Sequence, residues 1–567
     1  MTQVAPARSP INHWSPRRAL ALAVLSVAVA AASACGSASS TKRDTPPPDA
    51  AATDAPLGTL AADLGFRPDV NGFPFANYGN DVTNLTNLTP KEMQDIFGNV
   101  VCSDPAAPDC TLIPPAQTWM DKQNRSMSGG HCQGMSVTAL LLFKKLINPS
   151  DYGADSVASL SLANNAALQA RIAESFQYQY FPGVAAGTVE GTPVEVLTAL
   201  TKALTDKTVT YGLGIFKADR TGGHEITPIA VEDKGNGVSA ILVYDNNYPK
   251  AIRELDIDTN ANTWTYVGST NPAEAEGEYK GDASTKTLNI DPLEPGVAKQ
   301  PCPFCAPPQQ SAKRSPMGHT IATVASTTSY EDIYLAGDPN NHAHLLITDD
   351  KGRRLGYAGS TFVNEIPGAR VDYPKLGKDF TEAEEPEYFV PTGTALTITV
   401  DGSPIKDSDS EEIGLIGPGD DLFVDVTIGG GHKDAFSVNS DRTNLTYKSG
   451  ADEKPSIQFG SDRASSDFEF TVNPSALAGG STVGLSLSDA NLSIDASAVP
   501  GNDAYDIQMK RLDANGNDLV FKHSGLTVPG GGTAQLGYAS WDHAGDSIPV
   551  TVQSGGQTTQ DQLSDQR

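Results

Sequence analysis

The spacing of apolar residues predicts helices in the first half of the chain. Apolar positions recur three and four apart from 154 to 181 and from 193 to 204, which is typical of helices with one buried face. Residues 89–97 predict a short helix that begins at Pro90, because threonine at position 89 caps a helix well and proline suits the first helical position.

The second half of the chain has a different pattern. Apolar and polar residues alternate in short runs separated by turn formers, which is typical of antiparallel strands. Clear examples lie at 320–325, 344–348 and 395–400. The region from 318 onward is therefore expected to form one or two β-sandwich modules, which we place at 318–400 and 401–555.

One apolar run follows a cysteine directly. Cys132 comes after Gly129-Gly130-His131, and residues 133–143 continue as a helix-forming stretch. A cysteine on the first turn of a helix lies where free backbone N–H groups and the helix dipole stabilise a thiolate. The pattern thus predicts that Cys132 is a nucleophile held at the start of a helix. The alternative is that Cys132 is a small, buried, apolar residue at that position.

Residues 222–249 read as two strands joined by a tight turn at Gly235-Asn236. If that turn sets the register, His224 lies opposite Asn247. Asp245 then projects from the same face, so the three side chains lie within about 8 Å of one another. A slip of one residue would separate them.

The order cysteine, histidine, then carboxylate or amide resembles that of the papain-like cysteine peptidases. Residues 130–136, 223–224 and 244–249 resemble the signature of secreted bacterial members, and the resemblance spans roughly residues 60 to 300. It implies an α+β fold, with a papain-like catalytic domain at 57–300 ahead of the β modules. It also implies Cys132 as nucleophile, His224 as general base and acid, and Asp245 as the residue that orients the imidazole, with Asn247 as the rival third member.

The oxyanion of the tetrahedral intermediate needs hydrogen-bond donors, and the backbone N–H of Cys132 is one. In the family a glutamine about six residues before the cysteine usually supplies another. Ser126 occupies that position here, so the nearest amides, Gln123 and Asn124, are the candidates.

The resemblance implies a peptidase that works on a protein or peptide substrate through a thioester, with no cofactor or metal. Two other functions remain open. A transglutaminase-like acyltransferase uses the same three residue types and passes the acyl group to an amine. A catalytically inert surface protein would instead bind a ligand through its β modules.

The N-terminus predicts export. Arg17-Arg18 precede an apolar run and then Cys35, so residues 1–35 read as an export signal with a lipoprotein-like cleavage site. Lipidation of Cys35 would place the protein on the extracellular face of the cell membrane, with plain secretion as the alternative. Residues 36–56 are rich in Pro, Ser, Thr and Ala and are expected to be a disordered tether.

The other cysteines form two close pairs, Cys102 with Cys110 and Cys302 with Cys305, and each predicts a local disulfide in an oxidising compartment. A redox role for Cys302-Pro-Phe-Cys305 is less favoured because no strand-to-helix context surrounds it. Two cysteines are also too few for a structural zinc site.

The amino-acid composition restricts the classes of molecule that the protein is expected to bind. The 567 residues carry a formal net charge of −28, which argues against nucleic acid and anionic membrane surfaces. The membrane is therefore expected to matter only through a lipid anchor. Residues 301–317 are expected to be a linker and 556–567 a frayed tail, and the acidic runs at 407–412 and 513–518 are expected to be solvated turns rather than calcium sites.

Overall fold

The computed structural model describes residues 59–218, 222–269, 272, 275–306, 329–338, 341–372, 385–463, 466–512 and 518–566. The predicted export signal with Cys35, the tether and most of the linker lie outside these residues. Within them, no helix combines the length and the apolar character that a bilayer crossing requires.

Of the described residues, 43% lie in strands and 20% in helices, and the strands form three large antiparallel sheets. The predicted α+β fold with a papain-like domain is therefore wrong. Helix content was overestimated: of the stretch 154–181, only Ala166–Phe176 forms an α-helix. Ser161, Asn164 and Asn165 interrupt the apolar spacing, and asparagine and serine favour turns over helix interiors.

The first unit packs helices on a nine-stranded sheet. Its helices are α1 (Pro68–Asn71), α2 (Pro90–Phe97), α3 (Pro114–Ser126), α4 (Cys132–Phe143), α5 (Ala166–Phe176), α6 (Pro182–Gly187), α7 (Pro193–Asp206) and α8 (Glu294–Val297). Its strands are β1 (Leu60–Asp63), β2 (Val189–Glu190), β3 (Tyr211–Phe216), β4 (Gly223–Gly235), β5 (Val238–Tyr244), β6 (Arg253–Asp258), β7 (Thr263–Gly268), β8 (Gly277–Asp282) and β9 (Leu288–Pro292). The strand order is β2-β9-β3-β4-β5-β6-β7-β8, and β1 pairs with β4.

Helix α4 lies inside this unit, and every residue from Cys132 to Leu142 is buried. Burial on all sides explains why its sequence has no polar face. Gly134 allows close contact with α5, because a Cβ there would lie 2.1 Å from the carbonyl oxygen of Ile172. On another side, the Ser136 hydroxyl lies 2.8 Å from the Thr227 hydroxyl, which attaches α4 to β4.

The second unit contains twenty strands: β10 (Tyr330–Ala336), β11 (His344–Asp349), β12 (Arg354–Ala358), β13 (Thr361–Asn364), β14 (Arg370–Asp372), β15 (Glu387–Pro391), β16 (Leu396–Asp401), β17 (Ser408–Gly417), β18 (Asp420–Gly429), β19 (Lys433–Val438), β20 (Asn444–Lys448), β21 (Ser456–Arg463), β22 (Ser466–Pro474), β23 (Thr482–Leu487), β24 (Asn491–Ala498), β25 (Asn502–Leu512), β26 (Asp518–Pro529), β27 (Thr533–Gly537), β28 (Ile548–Ser554) and β29 (Gln557–Leu563). They form a nine-stranded sheet, β14-β15-β10-β17-β18-β21-β22-β25-β26, and an eleven-stranded sheet, β13-β12-β11-β16-β19-β20-β23-β24-β27-β28-β29.

Apolar residues of both sheets share one core, as in a β-sandwich, so the β-sandwich-like character expected from the sequence is confirmed. Strands on the two sides of residue 400 lie side by side in each sheet, since β10 pairs with β17 and β11 is followed by β16 and then β19. The segments 318–400 and 401–555 therefore share a core where they are described. Residues 557–563, expected to fray, form β29 and pair with β28.

Helix α3 contacts the sandwich directly. The Thr118 hydroxyl donates to Asp421 at 2.8 Å, and the Lys122 ammonium lies 2.8 Å from both Asp332 and Glu387. Lys122 is largely buried, so its charge needs these two carboxylates nearby. The helix that precedes the candidate nucleophile is thereby fixed against the second unit.

Both predicted local disulfides are confirmed, joining Cys102 to Cys110 and Cys302 to Cys305. The second closes a short loop that holds Phe304. The Phe304 ring packs against Phe97 and Trp119, with ring centroids 5.2 and 5.6 Å away. This disulfide thus fixes an aromatic contact of the first unit's core.

Candidate active site

Cys132 is the first residue of α4 and is fully buried. The helix begins there without a side-chain cap from His131, so its first N–H groups and its dipole favour negative charge at the cysteine. The Cys132 sulfur is part of a disulfide in this structure. Its thiolate therefore forms only after that bond is reduced.

The turn before Cys132 is fixed by a loop near the start of the first unit. The Asn77 side-chain oxygen accepts the backbone N–H of His131 at 2.9 Å. Gly79 lies against the same turn, since a Cβ on it would be 2.5 Å from the carbonyl oxygen of Ser128. These contacts leave the main chain at Cys132 little freedom.

His131 is a structural histidine. Its ring stacks on Tyr78 at 4.3 Å, with Nδ1 2.8 Å from the Tyr78 carbonyl oxygen and Nε2 2.9 Å from the Asn87 amide oxygen atom. Burial lowers the pKa of His131 to about 4, so the ring is neutral near pH 7. Both facing atoms are acceptors, and the neutral ring has one N–H, so it donates to one of them. Because it is buried and stacked, His131 positions the turn and is a poor candidate for the base.

His224 has the arrangement that a general base needs. It is the second residue of β4 and is fully buried, with Nε2 2.8 Å from Oδ1 of Asp245. A carboxylate can only accept, so Nε2 carries the ring proton. Among the described residues, Nδ1 has no hydrogen-bond partner, which leaves its lone pair available for a proton.

Asp245 follows β5 directly and accepts several hydrogen bonds. Besides His224, the backbone N–H of Asn247 donates to it at 2.8 Å, and the hydroxyl of Tyr266 donates to its other oxygen. Burial by itself would raise the pKa of Asp245. The charge of His224 and the hydrogen bonds from His224, Tyr266 and Asn247 outweigh that effect and lower the pKa below its usual value. Asp245 is therefore an anion that can orient the imidazole and stabilise its charged form.

Asn246 brings the cysteine and histidine segments together. Its side-chain nitrogen donates to the carbonyl oxygen of Cys132 at 2.9 Å and to that of Glu225 at 2.9 Å. Its own carbonyl accepts the backbone N–H of Asn77, also at 2.9 Å. One amide thus joins the start of α4 to the residue that follows His224, although the two segments are more than ninety residues apart in sequence.

The hairpin formed by β4 and β5 has the predicted register near His224, but its turn lies at a different position from the predicted one. The turn residues are Asn236 and Gly237, one position later than expected, and two bulges on β4 compensate for the shift. Thr227 consequently pairs with Tyr244, as the predicted register requires.

The two candidates for the third member lie in different surroundings. The side-chain nitrogen of Asn247 donates to the carbonyl oxygen of Ser269 at 2.6 Å, away from the histidine. Nε2 of His224 donates its hydrogen bond to Oδ1 of Asp245 and not to Asn247. Strand β5 ends at Tyr244, so Asp245 is free to turn toward the ring.

The two oxyanion candidates also differ. Asn124 uses both ends of its amide on the backbone of Leu88, accepting its N–H at 2.9 Å and donating to its oxygen at 3.1 Å. Gln123 is buried, and its side-chain oxygen has no hydrogen-bond partner in the part of the chain that the structure describes. That oxygen is an acceptor and cannot serve an oxyanion, so Gln123 is the candidate that is left only because the Asn124 amide is engaged.

Sequence reasoning missed three residues of the site: Asn77, Asn246 and Tyr266. Asn77 follows an aromatic segment, and Asn246 stands inside the run that supplied Asp245, so each carries a weak signal in the sequence. Tyr266 lies on β7, two strands away from β5 in the sheet, and nothing in its local sequence points to Asp245.

No protein-family model, no curated protein sequence and no solved structure matches the chain. A functional assignment therefore depends on the geometry of the site.

Glu225 lies beside His224 on β4 and is buried with no hydrogen-bond partner for its carboxyl oxygens among the described residues. Burial, and then the nearby charge of Asp291, raise the pKa of Glu225 well above its usual value. A pKa that is higher in the folded than in the unfolded state means that stability is lost as the pH rises from about 4.3 through the folded-state value.

Glu225→Gln is therefore expected to leave the free energy of unfolding almost unchanged at pH 4 and to raise it at pH 8, where the buried carboxyl of the wild type loses stability. Urea unfolding at the two pH values measures the difference. Glu232→Gln, on the same strand but only half-buried, is the matched control and should change stability by less than about 0.5 kcal/mol at either pH. An equal effect of Glu225→Gln at both pH values would contradict the prediction.

Proposed function

We propose that the chain is a cysteine peptidase, which cleaves peptide bonds through a thioester on Cys132. The observation that carries the proposal is the buried hydrogen bond between Asp245 and His224, on a strand that Asn246 ties to the backbone of Cys132. A nucleophile, a base and a residue that orients the base are the three parts that such chemistry needs.

In the proposed reaction, Nδ1 of His224 takes the proton of the reduced Cys132 thiol. The thiolate, stabilised at the start of α4, attacks the carbonyl carbon of the substrate. The backbone N–H of Cys132 donates to the oxyanion that forms. The imidazolium then protonates the leaving amine, and a thioester remains on the sulfur. Water, activated by Nδ1, hydrolyses the thioester and regenerates the thiol.

Asp245 contributes through its charge and its position. Its carboxylate keeps the proton of the neutral ring on Nε2, so Nδ1 starts as a base. When His224 becomes an imidazolium, the adjacent anion stabilises that charge in a site that excludes water.

A polar cleft of about 610 Å³ offers a route for a substrate. Asn80, Leu85, Asn87, Asp121, Asn124 and Arg125 line it. Asn87 at the edge of this cleft contacts the ring of His131, the residue before Cys132 in the sequence. Cys132 and His224 themselves are buried and do not line the cleft. Its amide and charged groups suit a peptide backbone.

The proposed location is outside the cytoplasm, at the cell surface through a lipid on Cys35 or in secreted form. Two local disulfides in the described chain fit an oxidising compartment. In the secreted form, the disulfide at Cys132 would keep the enzyme inactive until a thiol reductant reaches it. A lipid on Cys35 would occupy the sixth cysteine of the chain and exclude that bond.

The test is hydrolysis of a fluorogenic peptide library by the purified full chain, with and without a thiol reductant, followed by mass spectrometry. The expected result is reductant-dependent cleavage that yields free carboxylates and that prior alkylation abolishes. A second reaction with a primary amine in excess separates the alternatives. Products that are mainly amine adducts would identify an acyltransferase instead. Absence of both products in the reduced protein would leave a surface-binding protein and refute the proposal.

A further inference from the structure

We propose that His342, His344 and Glu385 form a binding site for a divalent transition-metal ion, with Zn²⁺ as the best match, on the β-sandwich and separate from the Cys132 site. Each residue offers one ligand atom, and these atoms all lie within 4.8 Å of one another. Ligand atoms at about 2.0–2.2 Å from a tetrahedral ion lie about 3.3–3.6 Å from one another, so small shifts of the side chains, with His344 and Glu385 moving slightly apart, would accommodate the ion.

The local sequence accounts for half of the site. His342 and His344 are separated by one residue at the start of β11, and alternate residues of an extended chain share a face. Their ring centroids are 5.5 Å apart. Glu385 comes from the segment before β15 in the other sheet, and its carboxylate oxygen lies 2.9 Å from Nδ1 of His344.

The three side chains are held in place by further contacts, as metal ligands usually are. Nδ1 of His342 lies 2.6 Å from the Ala343 carbonyl oxygen, so Nδ1 carries the proton and Nε2 keeps its lone pair. One oxygen of Glu385 accepts the backbone N–H of Leu345 at 2.7 Å and the hydroxyl of Tyr388. The ring of His344 stacks on Tyr357, with centroids 4.0 Å apart.

Glu411 is a second, independent sign that a cation belongs here. It is almost fully buried, and one oxygen accepts the N–H of Ala343, the residue between the two histidines, at 2.7 Å. The other oxygen is buried with no hydrogen-bond partner among the described residues. A Cβ at Gly337 would lie 2.0 Å from that oxygen, so the chain makes room for the carboxylate.

The electrostatics agree with this reading. Burial, and the nearby carboxylates of Asp409, Glu385 and Asp338, raise the pKa of Glu411 to about 8. A divalent cation between the histidines and these acidic groups would reverse that repulsion.

The donor set selects the class of ion. Two imidazoles and one carboxylate suit Zn²⁺, Cu²⁺ and Ni²⁺, whereas Ca²⁺ and Mg²⁺ prefer six or more oxygen ligands. Three protein ligands leave a fourth tetrahedral position for water or for an atom of another molecule.

The experiment titrates the full chain, made without a histidine tag, with Zn²⁺ against a fluorescent chelator. Reductant is omitted so that the cysteines stay in disulfides and no thiolate competes for the ion. We expect the wild type to bind one equivalent of Zn²⁺. The affinity for Zn²⁺ should fall by at least about tenfold in His344→Ala and in Glu385→Gln. His543→Ala, at a solvent-exposed histidine, is the matched control and should bind as the wild type does.

Circular dichroism of each variant checks that the sandwich remains folded, and Glu385→Gln is informative because it keeps the shape of the side chain. Failure of the wild type to bind Zn²⁺ would overturn the proposal. So would unchanged affinity in both His344→Ala and Glu385→Gln. Neither outcome would affect the Cys132 chemistry, because the two sites share no residue.

Discussion

Replacing Cys132 with serine is expected to abolish reductant-dependent peptide hydrolysis, with a loss in kcat of about a thousandfold or more. Serine has the size and position to remain at the start of α4, but its hydroxyl is a far weaker acid than a thiol. Neither the helix dipole nor an adjacent imidazolium lowers the pKa of a serine hydroxyl enough to form an alkoxide near neutral pH. The variant would therefore lack the anionic nucleophile that the thiol provides.

Two measurements make this result specific. An epoxide or iodoacetamide probe should label the Cys132 peptide of the reduced wild type and leave the serine variant unlabelled at that peptide. Cys302→Ser is the matched control, since it also removes a disulfide but lies outside the proposed chemistry. It should retain turnover in reductant to within about threefold, the ordinary range for a change of about 0.6 kcal/mol. Turnover by Cys132→Ser comparable to that of Cys302→Ser would refute the nucleophile.

Asp245→Asn is expected to reduce kcat by about a hundredfold to ten-thousandfold while the protein stays folded. An asparagine can present its N–H₂ to Nε2 of His224, and the ring proton then moves to Nδ1. The nitrogen that should accept the proton of Cys132 would already carry one. Loss of a buried anion that accepts three hydrogen bonds is also expected to lower the free energy of unfolding by about 1–3 kcal/mol.

The pH dependence of kcat/KM separates a catalytic loss from a structural one. The limbs of this profile report the ionisations on which the reaction depends, and Asp245→Asn should displace them. Asn247→Ala is the matched control. It removes a hydrogen bond to Ser269 and should cost about 1 kcal/mol of stability while the pH profile stays in place. The opposite result, in which Asn247→Ala displaces the pH profile of kcat/KM and Asp245→Asn does not, would identify Asn247 as the residue that orients His224.

Contacts between residues that are close in sequence can be predicted from the sequence alone. Thr89 forms a capping box with Glu92 at the start of α2, and Cys102 and Cys302 pair with the cysteines eight and three residues away. Helix α4 begins at Cys132, where the apolar run starts. Each of these features depends on a few adjacent residues, so the local pattern was sufficient.

The hairpin at His224 is an intermediate case. The predicted two-residue turn lies one position before the observed one. The register near the histidine still agrees with the prediction, because two bulges on β4 offset the shift. Bulges arise from contacts with neighbouring strands, which the residues of the hairpin alone do not specify.

The sequence by itself determined the local elements: a cysteine at a helix start, a histidine on a hairpin, two short-range disulfides and a strand-rich second half. Only the tertiary structure decided the fold class, the assignment of Tyr266 and Asn246 to the site, and the meeting of His344 with Glu385. Those features join segments that are 21 to 114 residues apart. Their formation depends on how whole sheets and helices bury apolar surface against one another, and a local pattern of residues carries no record of which distant partner that packing selects.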